Sequence, residues 1–302
     1  MTLQSLKNTA PYRFAVRAYY SSYYWALSAR SSRRLRRLRI WQVVLGRYCH
    51  VCGVVTLQKC DPPWKDYVAH YASVFEDSEY PPKWARWHGL RETMKCQCCG
   101  SALRAQQIAE AVVNFANRRF NLRTMHLVEL CDTSSFRQLQ IAQINDCCQL
   151  HQFFSGLPGL FYSEYEGDRL GVRAEDHLNL SYADHSFDLV LSSETLEHVP
   201  DFERALAEAR RILKSDGSYI FTIPMNWDRN TRKRAFIQDN QIVHLLPPVY
   251  HGGSIDPPGT LAFNDFGADV TEMIEACGFE VQVLRDKWNR VLCTFVCSVK
   301  PS

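Results

Sequence analysis

Two short cysteine motifs stand out along the chain for their chemistry. "CHVCG" places Cys49 and Cys52 three residues apart, and "CQCCG" repeats that spacing with Cys96 and Cys99. Each pair is followed by a glycine, Gly53 or Gly100, which relieves the tight turn after the second thiol. Two such knuckles supply four thiolates, the complete ligand set of a tetrahedral structural zinc with no position left open for a substrate. Cys98 is a substitute ligand in reserve, and a redox Cys-x-x-Cys pair is the competing reading. A second constellation ends the apolar run "FDLVLSS": Ser192, Ser193, Glu194, Glu197 and His198 follow within a few residues. His198 titrates near neutrality when unperturbed and is a candidate proton acceptor. Glu197 and His198 serve equally well as caps of the next helix, where Asp201 before "FERAL" reads as the N-cap. "ETLEH" also permits a metal reading through Glu194, Glu197 and His198, with His244 or His251 completing it.

Elements must position these residues. From about residue 104 the hydrophobic pattern alternates between helical and strand-like segments. "RAQQIAEAVVNFANRRF" is helical, "MHLVEL" has strand length, and "FRQLQIAQINDCCQLHQFF" reads as a second helix. "GLFYSEYE", "RLGVRAED", "FDLVLSS" and "GSYIFTIP" read as strands, with "DFERALAEARRIL" as a helix before the last. A helix, "DFGADVTEMIEACG", precedes two closing strands, "FEVQVLRD" and "VLCTFVCSVK", near enough in sequence to pair antiparallel. This alternation predicts an α/β domain with a mostly parallel sheet and helices on both faces. Ligands of such sheets bind at the carboxyl ends of the strands.

The segment "SYADHSFDLVLSSETLEHVPDFERALAEARRILKSDGSYIFTIP" resembles class I S-adenosylmethionine-dependent methyltransferases of the type 11 kind, and "IVHLLPPVYHGG" is similar to text in bacterial members that carry an N-terminal Cys-x-x-Cys pair. The resemblance covers residues 124 to 298 and implies a Rossmann-like, seven-stranded sheet and S-adenosylmethionine as cofactor, beside a small N-terminal zinc ribbon. It places Glu164, ending "LFYSE" and followed by Tyr165, on the ribose diol, because one carboxylate accepts two hydrogen bonds at once. Asp176, or Glu175 beside it, would take the adenine amino group, and His177 would offer its backbone amide. Members of the family carry Glu-x-Gly-x-Gly after the first strand. Here "VELCDTSS" offers Glu129, Cys131, Asp132 and Thr133 instead, with Glu129 anchoring the loop and the others near the cofactor tail.

The expected organisation is a basic arm over 1–47, a zinc-ribbon-like segment over 48–103, and a methyltransferase domain over 104–302 with a lid insert at 225–264. The insert is polar and rich in Pro and Gly, and it carries the candidate catalytic residues His244, Tyr250 and His251 besides the cluster Arg229, Arg232, Lys233 and Arg234. That cluster is either a contact for a substrate anion or a solvated hairpin tip.

Charge divides the chain. Residues 1–50 hold ten Lys/Arg and no acid, which leaves 25 basic and 32 acidic residues for the rest. Leu35, Leu38, Trp41, Val44 and Leu45 recur at helical spacing among arginines in this arm. It would pack on the body, grip RNA phosphates, or lie on an anionic membrane surface. No run approaches a membrane span and no signal-peptide pattern opens the chain, so the twelve cysteines are expected to stay reduced in the cytoplasm. The expected partner is a small-molecule or sugar-containing acceptor. RNA methylation and a non-catalytic binding role are the alternatives.

Overall fold

The computed structural model describes residues 46–56, 58–60, 82–251 and 259–300. The basic arm up to residue 45 therefore lies outside the described residues.

The N-terminal module consists of two hairpins and a helix. β1 (Arg47–Tyr48) pairs with β2 (Val55–Thr56), and β3 (Gln58–Cys60) pairs with β4 (Met94–Cys96), both antiparallel. Between β3 and β4 lies helix α1 (Pro82–Thr93). The knuckles repeat one geometry. Gly53 N donates to Cys49 O and Gly100 N to Cys96 O, each at 2.8 Å, and the glycines have φ of 76° and 77°. A side chain at Gly53 would also collide with the ring of His126, so this knuckle is seated on the body.

Helix α2 (Leu103–Phe120) opens the body, its apolar stripe buried, and ends at Asn121 in the left-handed region. α3 (Leu127–Cys131) and α4 (Ser134–Arg137) follow. Here the structure departs from the periodicity reading. "MHLVEL" is not the first strand but α3, started by the His126 side chain, which accepts from Glu129 N. Its first amides, of Leu127 and Val128, donate to the knuckle carbonyls of His50 and Val51. The second expected helix contains the true first strand, β5 (Ile141–Ile144), followed by the short helix α5 (His151–Phe154).

The remaining elements are β6 (Leu160–Glu164), α6 (Gly167–Leu170), β7 (Arg173–Ala174), β8 (Phe187–Ser193), α7 (Phe202–Ile212) and β9 (Leu213–Thr222). The chain closes with α8 (Val270–Ala276), β17 (Phe279–Arg285) and β18 (Cys293–Val299). The insert between β9 and α8, rich in Pro and Gly, is built of short strands. It holds β10 (Met225–Asn226), β11 (Arg232–Lys233), β12 (Ala235–Gln238), β13 (Gln241–His244), β14 (Tyr250–His251), β15 (Thr260–Leu261) and β16 (Asn264–Gly267).

Seven strands form one sheet in the order β17-β18-β9-β8-β5-β6-β7. β5 to β9 are parallel, whereas β18 is antiparallel to both β9 and β17. Alternation across β8 divides the core. Leu189 and Leu191 face the layer with α2, while Val190 faces the layer with α7 and α8, joined there by Phe187 across the register irregularity between Phe187 and Leu189. All seven residues of β8 are buried, as expected of a central parallel strand. Asp201 caps α7 by accepting from Arg204 N, as its position predicts. The seven-stranded sheet with one reversed strand near its edge, flanked by helices, is the class I methyltransferase architecture.

Candidate functional site

Parallel strands β5, β6, β7, β8 and β9 all present their carboxyl ends along one edge. β17 runs the same way, so the 286–292 loop and the start of β18 also lie there. The most constrained backbone on this edge is the loop after β5. Asn145, Cys147, Cys148 and Gln149 have φ of 86°, 49°, 60° and 67°, conformations that favour glycine. No glycine is present, and the side chains support the turn instead. Asn145 Oδ1 accepts from Cys147 N, and Asp146 Oδ2 accepts from Gln149 N at 2.7 Å. Asn145 Nδ2 donates to Ser193 O at 2.6 Å and Thr195 Oγ1 at 2.7 Å, tying the end of β5 to the end of β8. Strain held by such over-determination belongs to functional sites.

Glu164 ends β6 beside this loop. Tyr162 Oη donates to its Oε1 at 2.6 Å. Burial raises the Glu164 carboxyl above its ordinary range, against the hydrogen bonds from Tyr162 and the Asp146 backbone. Tyr165 is exposed next to it. After β7, Glu175 is buried and occupied by Arg173 Nε and by Ser181 N and Oγ, which makes it a structural residue. Asp176 stays exposed, with Oδ1 accepting from Leu178 N. His177 is buried and its imidazole is pushed down to about 4 by that burial, so it is neutral at pH 7.

Beyond β8 the hydroxyls are turned inward. Ser192 bonds Tyr219 Oη at 2.6 Å, and Ser193 bonds Thr222 Oγ1 at 2.8 Å. Glu194 adopts φ 51° and receives Arg91 Nη2 on Oε2 at 2.5 Å. Glu197 is buried, with neither carboxylate oxygen hydrogen-bonded, and burial followed by the Glu194 charge raises its carboxyl well above the ordinary range. His198 Nδ1 meets Leu261 O at 2.8 Å, its Nε2 lies 3.7 Å from Glu197, and burial lowers its imidazole. The insert stands against this turn. Phe263 N donates to Glu197 O, and Leu261 is the β15 partner of Tyr250. His251 pairs with Thr260 in the same ladder, which brings the Tyr250–His251 backbone to the rim, whereas His244 is exposed on the β12–β13 hairpin.

The structure does not bring Glu129, Cys131, Asp132 and Thr133 to a strand end. Glu129 Oε2 accepts from Met125 N at the start of α3, Cys131 is buried in α3, Asp132 is its C-cap, and Thr133 caps α4. The loop after the first strand is Asn145–Gln149. The arginine cluster of the insert is not a solvated tip either: Arg229, Arg232 and Arg234 converge on Asp265 Oδ2 at 3.2, 3.2 and 2.6 Å. Sequence reasoning missed Arg91, Glu92 and Arg104. Glu92 accepts from Arg104 Nε and Nη2, and Arg104 Nη1 continues to Ser193 Oγ.

The four knuckle thiols meet in one place, with all sulfurs within 4.8 Å of one another. Cys49 and Cys99 are 3.7 Å apart, and Cys52 and Cys96 3.8 Å. A zinc tetrahedron with ~2.3 Å Zn–S bonds has an edge of about 3.8 Å, so the donor set and its dimensions fit that ion. Among the described residues no other group of three or more potential ligands is brought together.

Residues 161–221 match the family described as "Methyltransferase domain". Over 91 residues the chain is 50% identical to Sarcosine/dimethylglycine N-methyltransferase of Halorhodospira halochloris, covering 26% of this chain and 33% of that protein. It is 27% identical over 109 residues to 24-methylenesterol C-methyltransferase 2 of Arabidopsis thaliana, covering 36% and 27%. The chain thus spans a third or less of the curated relatives it matches. A solved S-adenosylmethionine dependent methyltransferase from Mesorhizobium loti aligns with 54% of this chain and 91% of its own at 14% identity and a TM-score of 0.38. The strand order and the match over residues 161–221 agree with the sheet that the resemblance to class I S-adenosylmethionine-dependent methyltransferases implies.

Proposed function

We propose that the protein transfers a methyl group from S-adenosylmethionine to a small-molecule or sugar-containing acceptor, with a structural zinc in the knuckles. The observation that carries this reading is the pairing of the left-handed Asn145–Gln149 loop with Glu164 at the end of the next strand. The loop lies where a cofactor tail approaches backbone, and Glu164 offers a carboxylate to a ribose diol one strand further on. Asp176 is the acceptor for the adenine edge, since Glu175 is already occupied. Bound there, S-adenosylmethionine supplies an electrophilic methyl group. The chain's own task is then to align the acceptor atom and, for a hydroxyl or ammonium, to take its proton. His198 is the proposed base. Its Nδ1 is fixed on the Leu261 carbonyl, which makes Nδ1 the protonated nitrogen and leaves Nε2 with the lone pair. Tyr250 and His251 on β14, whose strand pairs with β15 beside Leu261, are the proposed insert residues on the acceptor side, and His244 stands farther out.

Calorimetry with S-adenosylhomocysteine tests the cofactor reading. Wild type should bind, and Glu164→Ala should bind more weakly by about 1.5–3 kcal/mol, the range for a lost bond to a charged group. Equal affinity of the two proteins refutes the assignment. Extracts and RNA screened with methyl-labelled cofactor then identify the acceptor class, and labelled RNA would replace the small-molecule reading.

A further inference from the structure

Helix α1 physically joins the thiolate centre to the ligand edge. It runs directly into β4, so that Cys96 follows Glu92 by four residues. Arg91, with a fully buried side chain, reaches Glu194 at 2.5 Å and the Val291 carbonyl at 3.4 Å. Glu92 grips Arg104 through Nε at 2.9 Å and Nη2 at 2.7 Å, and Arg104 bonds Ser193. Both residues at the end of β8 are therefore held from the knuckle side. The 286–292 loop closes around the same helix, since Asn289 donates to Trp87 O at 2.9 Å, and Asp286 pairs with Arg47 of β1 at 2.7 Å.

We infer that the thiolate centre and the ligand-binding rim form one coupled unit, in which Arg91 and Glu92 are the positioning residues that transmit metal occupancy to Ser193 and Glu194. The inference rests on the reading of this edge as the cofactor site. Its physical basis is the cost of intermediate positions. Four thiolates fix β1–β2 against β3–β4 only while a cation neutralises them, because metal binding and folding are coupled in such modules. When β4 loosens, α1 cannot keep Arg91 on Glu194 and Glu92 on Arg104. A buried carboxylate deprived of its cation is costly, so the rim rearranges rather than tolerating a displaced partner. Coupling between two bound species is reciprocal. The cofactor product should tighten zinc by the same factor that zinc tightens the cofactor product.

The experiment uses the full chain loaded with zinc. Zinc affinity is measured by competition with a chromogenic chelator, with and without saturating S-adenosylhomocysteine. Calorimetry then gives the S-adenosylhomocysteine affinity before and after zinc removal. The two factors should agree and lie between about 5- and 150-fold. Glu92→Gln should keep one equivalent of zinc and a cooperative melt but lower the coupling factor severalfold, and Arg91→Met should do the same, since each removes one of the two links. Should Arg91→Met fail to fold, Glu92→Gln alone decides. A wild-type factor of one overturns the inference, and so does an undiminished factor in Glu92→Gln. Failure of zinc-loaded wild type to bind S-adenosylhomocysteine instead overturns the cofactor reading on which the inference rests.

Discussion

Replacing Glu197 with Gln should make the protein more stable, and increasingly so as the pH rises. Glu197 follows the rim with 1% of its surface exposed, and neither carboxylate oxygen has a hydrogen-bond partner. Burial, reinforced by the negative charge of Glu194, lifts its carboxyl well above the ordinary range. The folded state therefore holds a proton that the unfolded chain has already lost. In the window between the ordinary carboxylate pKa, ~4.3, and the raised folded value, unfolding releases that proton. Stability then falls with rising pH by about 1.4 kcal/mol per unit. Above the folded value the loss levels off. Gln is nearly isosteric with the neutral acid and does not titrate, so the difference between variant and wild type isolates this one group. Near pH 4 the two should be almost equally stable. As the pH rises above the ordinary carboxylate range the difference should grow in favour of Gln. Urea unfolding at pH 4, 5, 6 and 7 measures it. Parallel stability curves would refute the reasoning, because they would show that Glu197 ionises in the folded protein as it does in the unfolded chain.

Elemental analysis should find about one zinc per chain, lost in Cys49→Ser, and chelation should loosen residues 45–104 more than the body, as hydrogen exchange would report. Asp176→Ala should weaken S-adenosylhomocysteine by about 1.5–3 kcal/mol, whereas Glu175→Ala should chiefly lower thermal stability, since Glu175 accepts from Arg173 and Ser181. Turnover of His198→Ala should fall by about 10²-fold or more if His198 takes the acceptor's proton. Because burial lowers its imidazole, the wild-type rate should rise through a group titrating below 6.5, and an unchanged turnover with a flat profile would make His198 structural.

The strands legible in the sequence are those with enough residues to show their pattern. β6, β8, β9, β17 and β18 have five to ten residues each, and the rim after β8 was visible with them. β5 has four residues, all buried, and both its sheet neighbours come later in the chain. A strand covered on both faces shows no alternation, and Gln, Ala and Leu around Ile141 and Ile144 are good helix formers. Pairing with β6 and β8 overrides that propensity. With β5 hidden, the loop expected after the first strand falls on Glu129–Thr133, a segment that folds as a helix because its first amides find the knuckle carbonyls. The thiol cluster was legible because a four-thiolate metal site needs a local spacing, and the two knuckles supply it twice. Arg91 and Arg104 were not, because their partners Glu194 and Ser193 lie 103 and 89 residues away. Only the fold brings those groups together, and removing Glu194 would strip the fully buried Arg91 guanidinium of one of its two carboxylates beside the proposed site of methyl transfer.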